Sequence, residues 1–219
     1  MASMGDTERH RAGSAWTDRG TAFLAHGTAE GSRAALQCNR RAVELLSSLP
    51  TDTNEDYLAD LGAAWANLGC SLMACADKAS LGEAVDAFSE ATSLLGKQPY
   101  GESTRYRHNL AAAWMNKADA LERMGGPGRV EAAQAYQAAL MISMGLPLDE
   151  RASFRILLSS CWINFGNARM RSGEAAGAVT AFTEALGALG SLPSTGHRVA
   201  RSHCATAWTL RSEALVQSV

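Results

Sequence analysis

The stretch Trp162–Pro193, WINFGNARMRSGEAAGAVTAFTEALGALGSLP, sets a glycine four positions after a tryptophan. A Ser-Gly break follows at 172–173, then alanines at 178 and 185 around Phe182, and finally a proline. Spacings of three, four and seven put residues on one side of a helix with 3.6 residues per turn. The stretch therefore predicts two helices joined by a turn, the second stopped by Pro193. The rest of the chain repeats it. All five tryptophans (Trp16, Trp65, Trp114, Trp162, Trp208) fall at steps of 49, 49, 48 and 46, and Pro50, Pro99, Pro147 and Pro193 at steps of 49, 48 and 46. Two sets of rare residues share one drifting period, and Pro127 alone falls outside it.

The residues between the two ladders recur with them. Eight positions before each proline stands Ala42, Ala91, Ala139 or Ala185; three before those, Asn39, Phe88, Tyr136 or Phe182; four before those, Ala35, Ala84, Ala132 or Ala178. The fourth residue after each tryptophan is small (Gly20, Gly69, Ala118, Gly166, Ser212), and the seventh is Phe23, Leu72, Leu121, Arg169 or Leu215. Small residues at fixed points let two helix backbones approach, and bulky ones fill the space beside them. No period-2 alternation marks strands. The pattern predicts nine helices, over 13–26, 31–48, 54–77, 81–96, 103–124, 129–144, 150–172, 175–190 and 196–217, as four pairs and a final single helix. Asp52-Thr53-Asn54, Ser103-Thr104, Asp149-Glu150 and Ser194-Thr195 supply helix starts, and Gly27–Gly31, Gly125–Gly128 and Ser172-Gly173 supply turns. Residues 1–13 read as a flexible segment ahead of one helical domain over 14–219. The last helix, with Arg198, Arg201, Arg211 and Glu213, reads as its polar cap. Trp16, Trp65, Trp114 and Trp162 are each expected between the helices of their own repeat and the next.

Composition bounds the function. The 219 residues are 47% apolar and 19% charged with a net charge of −2, a globular balance with no bulk positive field for nucleic acid or anionic lipid. Five cysteines (Cys38, Cys70, Cys75, Cys161, Cys204) form no CxxC pair. An odd count without pairing motifs suits buried, reduced thiols and a cytoplasmic setting. Cys70 is the expected exception to burial. The polar start, Met1–Gly13, lacks the apolar stretch of a signal peptide. The uncharged runs Leu61–Ala76 and Ala132–Leu148 are shorter than the roughly 20 apolar residues of a membrane span.

The recurring Trp, Gly, Ala, Phe, Ala and Pro positions resemble tetratricopeptide repeats, with Trp162, Phe165-Gly166, Gly173, Ala178, Phe182, Ala185-Leu186 and Pro193 as the closest copy. The likeness runs from about Ser14 onward. The period exceeds the family standard of about 34 residues, and longer helices account for the excess. The resemblance implies an all-α solenoid, a right-handed superhelix of four helix pairs and a capping helix, with first helices lining a concave groove. It implies groove positions at Asn67, Asn116 and Asn164, two after each tryptophan, with Asp18 before them and Leu210 after. It also puts Thr17, Thr21, Ala63, Ala66, Cys70, Ala74, Ala112, Met115, Asp119, Arg123, Ser160, Ile163, Asn167 and Arg171 in the groove. An asparagine column offers donors and acceptors to a peptide backbone. With Arg123 and Arg171 its main cations, the wall suits a neutral or weakly apolar segment better than an acidic tail.

The resemblance thus implies an adaptor for a protein or peptide partner, without cofactor, metal or membrane. The alternative is an assembly module that self-associates or joins a complex through its ends or convex face; a small-ligand regulator is a third reading. Chemistry has little support: His10, His26, His108, His197 and His203 are scattered, with no HExxH, and Gly125–Gly128 lacks the Lys-Ser/Thr of a phosphate loop. His203 and Cys204 are adjacent in a helix and point apart. The run Arg105-Tyr106-Arg107-His108 reads as a solvated helix start, with RNA or an acidic partner as the rival reading.

Overall fold

Where a small residue faces a bulky one, two helix backbones come close, and that contact is repeated through the molecule. A computed structural model describes residues 5–75, 77–97, 103–190 and 198–218. Among them are nine helices and no strand: α1 Asp6–Ala25, α2 Ala29–Ser47, α3 Glu55–Cys75, α4 Lys78–Leu95, α5 Thr104–Met124, α6 Gly128–Met144, α7 Ala152–Arg171, α8 Ala175–Leu189 and α9 Arg198–Gln217. A Cβ added at Gly69 would lie 2.6 Å from the Phe88 ring, one at Gly166 2.5 Å from the Phe182 ring, and one at Gly20 2.5 Å from the Asn39 amide. Two turns back, Gly13 sits under Leu46 and Gly62 under Leu95 in the same way. These contacts join α1 to α2, α3 to α4 and α7 to α8; α5 joins α6 with Ala118 and Tyr136 in the corresponding places.

Successive pairs stack through a second contact. Phe88 shares a cluster with Ala120, Tyr136 with Ala168, and Phe182 with Ala214, so each bulky residue also meets the next first helix. The Ala-bulky-Ala stripes are fully or almost fully buried in all four second helices. Removing Phe88 or Phe182 from water stabilises by about 1.5–3 kcal/mol, and one alanine methyl by about 0.8 kcal/mol. Helices contact their sequence neighbours in order, and α1, α3, α5, α7 and α9 also touch one another while the even-numbered helices have no comparable contact. This sequential stacking is the arrangement of an α-solenoid, with the first helices as an inner row. Turns fall where glycine alone adopts the backbone easily: Gly27, Gly125, Gly126 and Gly173 have φ of 64°, 72°, 60° and 79°.

Several expectations change. Residues 6–12 are helical, not a flexible segment: Asp6 and Glu8 favour the first turn, Glu8 accepts from the Gly5 amide, and His10 bonds Asp60 of α3. Asn54 caps α3 as expected, accepting from the Asp56 and Tyr57 amides. The fourth pair starts later than expected, at Ala152, and Asp149 instead bonds Arg155. Pro99, Pro193, Ser194 and Thr195 lie outside the described residues. The first four tryptophans are half-buried at the edge of the core and Trp208 is exposed, because the fixed interhelical positions belong to the glycines and alanines. The outward face of α9 is mixed: Arg198, Arg201 and Glu213 are exposed, and Trp208, Leu215 and Val216 stand exposed with them. Cys38 and Cys161 are buried; Cys204, expected to be, is only half so, as are Cys70 and Cys75. α3 is long and apolar enough, by length and composition, to cross a membrane, and half of its apolar window is buried between its neighbours.

Candidate functional site

The inner row concentrates its polar residues at one step. Between α3, α5, α6 and α7 lies a cavity of about 330 Å³, lined by Met73, Asp119, Glu122, Arg123, Tyr136, Asn164, Asn167 and Arg171. Five of these, Asp119, Arg123, Asn164, Asn167 and Arg171, are groove positions expected from sequence. Met73, Glu122 and Tyr136 are additions. Tyr136 was legible only as core, because nothing in its α6 stripe says that the hydroxyl crosses to another helix.

Asp119 is the centre of the cavity. Its carboxylate accepts from the Tyr136 hydroxyl and from Asn164 Nδ2, at 3.2 and 3.3 Å to its two oxygens. Burial raises its pKa above the ordinary carboxylate value; the Tyr136 bond and the Arg171 and Arg123 charges oppose the rise, and Glu122 adds to it. Tyr136 is pushed up by burial first and by the Asp119 charge second. Arg171 is held by Glu122, Nε to Oε2 2.8 Å. Arg123 is exposed and makes no hydrogen bond or ion pair with any described residue. Two carboxylates and two guanidiniums leave the cavity formally neutral, with one cationic donor at its rim.

The asparagines are engaged in a regular way. Asn116 Nδ2 of α5 donates to Cys70 Sγ of α3 at 3.4 Å, and Asn164 Nδ2 of α7 donates to Asp119 of α5. Each reaches from two positions past its tryptophan to five positions past the preceding one, stitching neighbouring first helices together. Their Nδ2 donors are therefore occupied within the chain, while their Oδ1 acceptors receive no hydrogen bond from described residues. Asn67 contributes its backbone carbonyl to Asn39 Nδ2, 3.2 Å away. Cys70 is pushed up to about 11 by burial and, second, by the Asp119 charge, which keeps it a thiol. Met115 packs against the cluster around Phe154 and Leu158, and Ile163 is buried with Ala185 and Ala207, so these two belong to the core side of their helices.

The basic run at the start of α5 has internal partners throughout. Arg105 bonds Asp60, Tyr106 donates to the Glu55 carbonyl, Arg107 donates to the Gly145 carbonyl at 2.9 Å, and the His108 ring lies 5.5 Å from Phe154. A second, larger cleft of about 640 Å³ opens on the far side of the α6–α7 seam, lined by Val130, Met141, Met144, Trp162 and Phe165. Its surface is more apolar than polar, although Arg129, Gln134, Gln137, Arg169, Ser172 and Glu174 also line it, and it shares no residue with the Asp119 cavity. Among the described residues, no group of three or more His, Cys, Asp or Glu side chains is placed to hold a metal ion. No protein-family model matches the chain, and comparison with curated proteins yields no match either.

Proposed function

We propose that the chain is a tetratricopeptide-like adaptor, working in a reducing, cytoplasmic setting, whose inner row binds an extended segment of a partner protein at the Asp119 cavity. The convergence of Asp119, Arg123, Asn164, Asn167 and Arg171 in one formally neutral cavity carries this reading. A peptide backbone presents N–H groups to Asn116 and Asn164 Oδ1 and a carbonyl to Arg123. First helices roughly 10 Å apart match about three extended residues per step. A neutral segment suits the balance of charges, and Met73 and the stem of Arg171 offer it apolar contact.

Peptides selected from a random display library on the wild-type protein provide the ligands, and Arg123→Ala the variant. Arg123 has no internal bond to lose, so folding is unaffected. Its removal is expected to weaken binding three- to tenfold, equivalent to about 0.5–1.5 kcal/mol. Selected peptides indifferent to Arg123→Ala and Asn167→Ala would sink the reading. The exposed apolar cleft at α6–α7 favours a second reading, an assembly module; there, Met141→Ser and Met144→Ser would release a partner that Arg123→Ala leaves bound.

A further inference from the structure

At the seam between α6 and α7 three features of the repeat fail together. Ala133 follows the first alanine of its stripe, where α2, α4 and α8 have Leu36, Val85 and Val179. Those three pack onto the core, whereas Ala133 is exposed and lines the cleft of about 640 Å³. Three positions after Trp162 stands Phe165, where Arg19, Lys117 and Arg211 lie over Trp16, Trp114 and Trp208 at 5.5, 5.3 and 5.5 Å. Trp65 has Leu68 at that place and is flanked instead by Arg40, paired with Glu83 at 3.0 Å. The residues corresponding to that pair beside Trp162 are Gln137 and Gly177, which cannot form it. Met141 and Met144 then line the cleft at 67% and 52% exposure. The opening lies inside the array, with α8 and α9 stacked beyond it.

Shape and charge set what fits there. Val130, Ala133, Gln137, Met141 and Met144 follow one another at spacings of three and four, one face of α6. At about 1.5 Å per residue, Arg129 to Met144 spans roughly 22 Å. A trough of that length between two helices takes the side-chain ridge of a third, and methionine and aromatic walls suit the apolar anchors of an amphipathic helix. Of the rim charges, Arg169 is held by Glu174 at 2.6 Å and lies over Phe165 at 4.7 Å. The Arg129 guanidinium makes no hydrogen bond or ion pair with any described residue. We infer that the α6–α7 cleft docks an amphipathic helix of a partner protein, with apolar side chains at i, i+4, i+7 and i+11 seated over Ala133 and against the Trp162 and Phe165 rings, and an acidic residue facing Arg129. The central anchor supplies the branched side chain that α6 lacks. A partner helix there rests on the assembly reading of the cleft and makes it specific, and no residue of the Asp119 cavity takes part.

A fully random library of peptides about 16 residues long, enough to span the trough as a helix, is selected on the full wild-type chain. Peptides that Arg123→Ala weakens are set aside as ligands of the Asp119 cavity, and the consensus of the rest is synthesised and titrated by fluorescence anisotropy. That consensus is expected to carry apolar anchors at helical spacing and an acid at one end. Ala133→Leu restores the residue that α2 carries; it is expected to leave the thermal melt unchanged or raised and to weaken binding about thirtyfold or more. Met141→Ser should weaken binding about tenfold with the melt unchanged. Arg129→Glu should weaken it more at low salt than at high salt, and a peptide with lysine in place of its acid should reverse that preference. Binding indifferent to both Ala133→Leu and Met141→Ser overturns the inference and the assembly reading of the cleft together. Cleft-dependent peptides without the helical spacing or the acid overturn the helix alone and leave that reading standing. A selection that leaves no peptide outside the Asp119 cavity also overturns the inference. So does a dimer of the unliganded chain that Ala133→Leu dissociates, since a second copy would then own the cleft.

Discussion

Asn39 and Tyr136 hold the same position in the first and third helix pairs and use it differently. Asn39 is wholly buried and turns its amide toward α3, donating to the Asn67 carbonyl and, at 2.8 Å, to Ser71 Oγ. Tyr136 buries its ring between Ala118 and Ala168 and sends its hydroxyl to Asp119. Phe88 and Phe182 show the plain form, aromatic against Ala120 and Ala214. The scaffold needs bulk between two small residues and little else. Polarity added at that point locks a particular junction in the first pair, where serine replaces the usual alanine. In the third pair it reaches the Asp119 cavity.

Truncation should separate the two most sharply. Tyr136→Ala removes a buried aromatic and is expected to cost about 3–5 kcal/mol in a denaturant melt, the same range as Phe182→Ala. Asn39→Ala should cost less, about 1–3 kcal/mol, because a smaller side chain is lost and the Ser71 hydroxyl keeps its bond to the Asn67 carbonyl. Equal costs would break the claim that the ring in α6 carries packing as well as chemistry.

A double-mutant cycle sharpens the other side. Ser71→Ala leaves Asn39 Nδ2 with one acceptor, and Asn39→Phe presses a ring against the Ser71 hydroxyl, so each alone is expected to destabilise by about 1 kcal/mol. Together they recreate the Phe–Ala junction of the later pairs. The double variant should recover most of the loss, with a coupling of about 0.5–3 kcal/mol. Simple additivity would mean that the pair is not a replacement for the apolar contact.

Residues whose role is local and periodic were readable from the sequence, and residues whose role crosses between helices were not. Gly69 under Phe88 and Gly166 under Phe182 leave a period, so eight of the nine helices have the expected bounds to within about three residues. The extension of α1 back to Asp6 left no such trace, because its anchor is the His10–Asp60 contact, 2.8 Å long, with a helix fifty residues away. The asparagine column was visible as a column, and Asp119, Arg123 and Arg171 as its neighbours. That Asn116 and Asn164 use their donors on the preceding helix depends on how the helices stack. The tryptophans misled for the opposite reason. Their rarity made the period obvious, while the glycines and alanines beside them set the spacing and took the deepest positions.

The Tyr136–Asp119 arm also carries a pH signature that the Asn39 arm lacks. Burial raises the Asp119 pKa in the fold, so between the ordinary carboxylate value and the raised one the folded chain binds more protons than the unfolded chain. Stability from this group is present at low pH and declines as pH rises through that window. Asp119→Asn removes the charge and keeps an acceptor for Tyr136. Its melting temperature relative to wild type is expected to rise between pH 4 and pH 7, and to converge with wild type as pH falls. A constant offset across that range would show that the ionised carboxylate is not strained by its burial.

The smallest effect is expected where the repeat pattern is broken at the surface. Met141 and Met144 take places held by Glu44 and Ser47 in α2 and by Ser93 and Gly96 in α4, so an apolar pair stands where the other repeats are polar or small. Met141 is 67% exposed, and a side chain so placed has little burial to lose. Met141→Ser should therefore change stability by no more than about 0.5 kcal/mol, the usual range for surface positions. Asn39 and Tyr136 depart from the pattern in the core, where each departure must be answered by a partner, Ser71 or Asp119. A departure at the surface has no such bonded partner among the described residues. A loss of several kcal/mol from Met141→Ser would place the residue in the fold's own packing, and the α6–α7 cleft would then lose its standing as a free apolar surface.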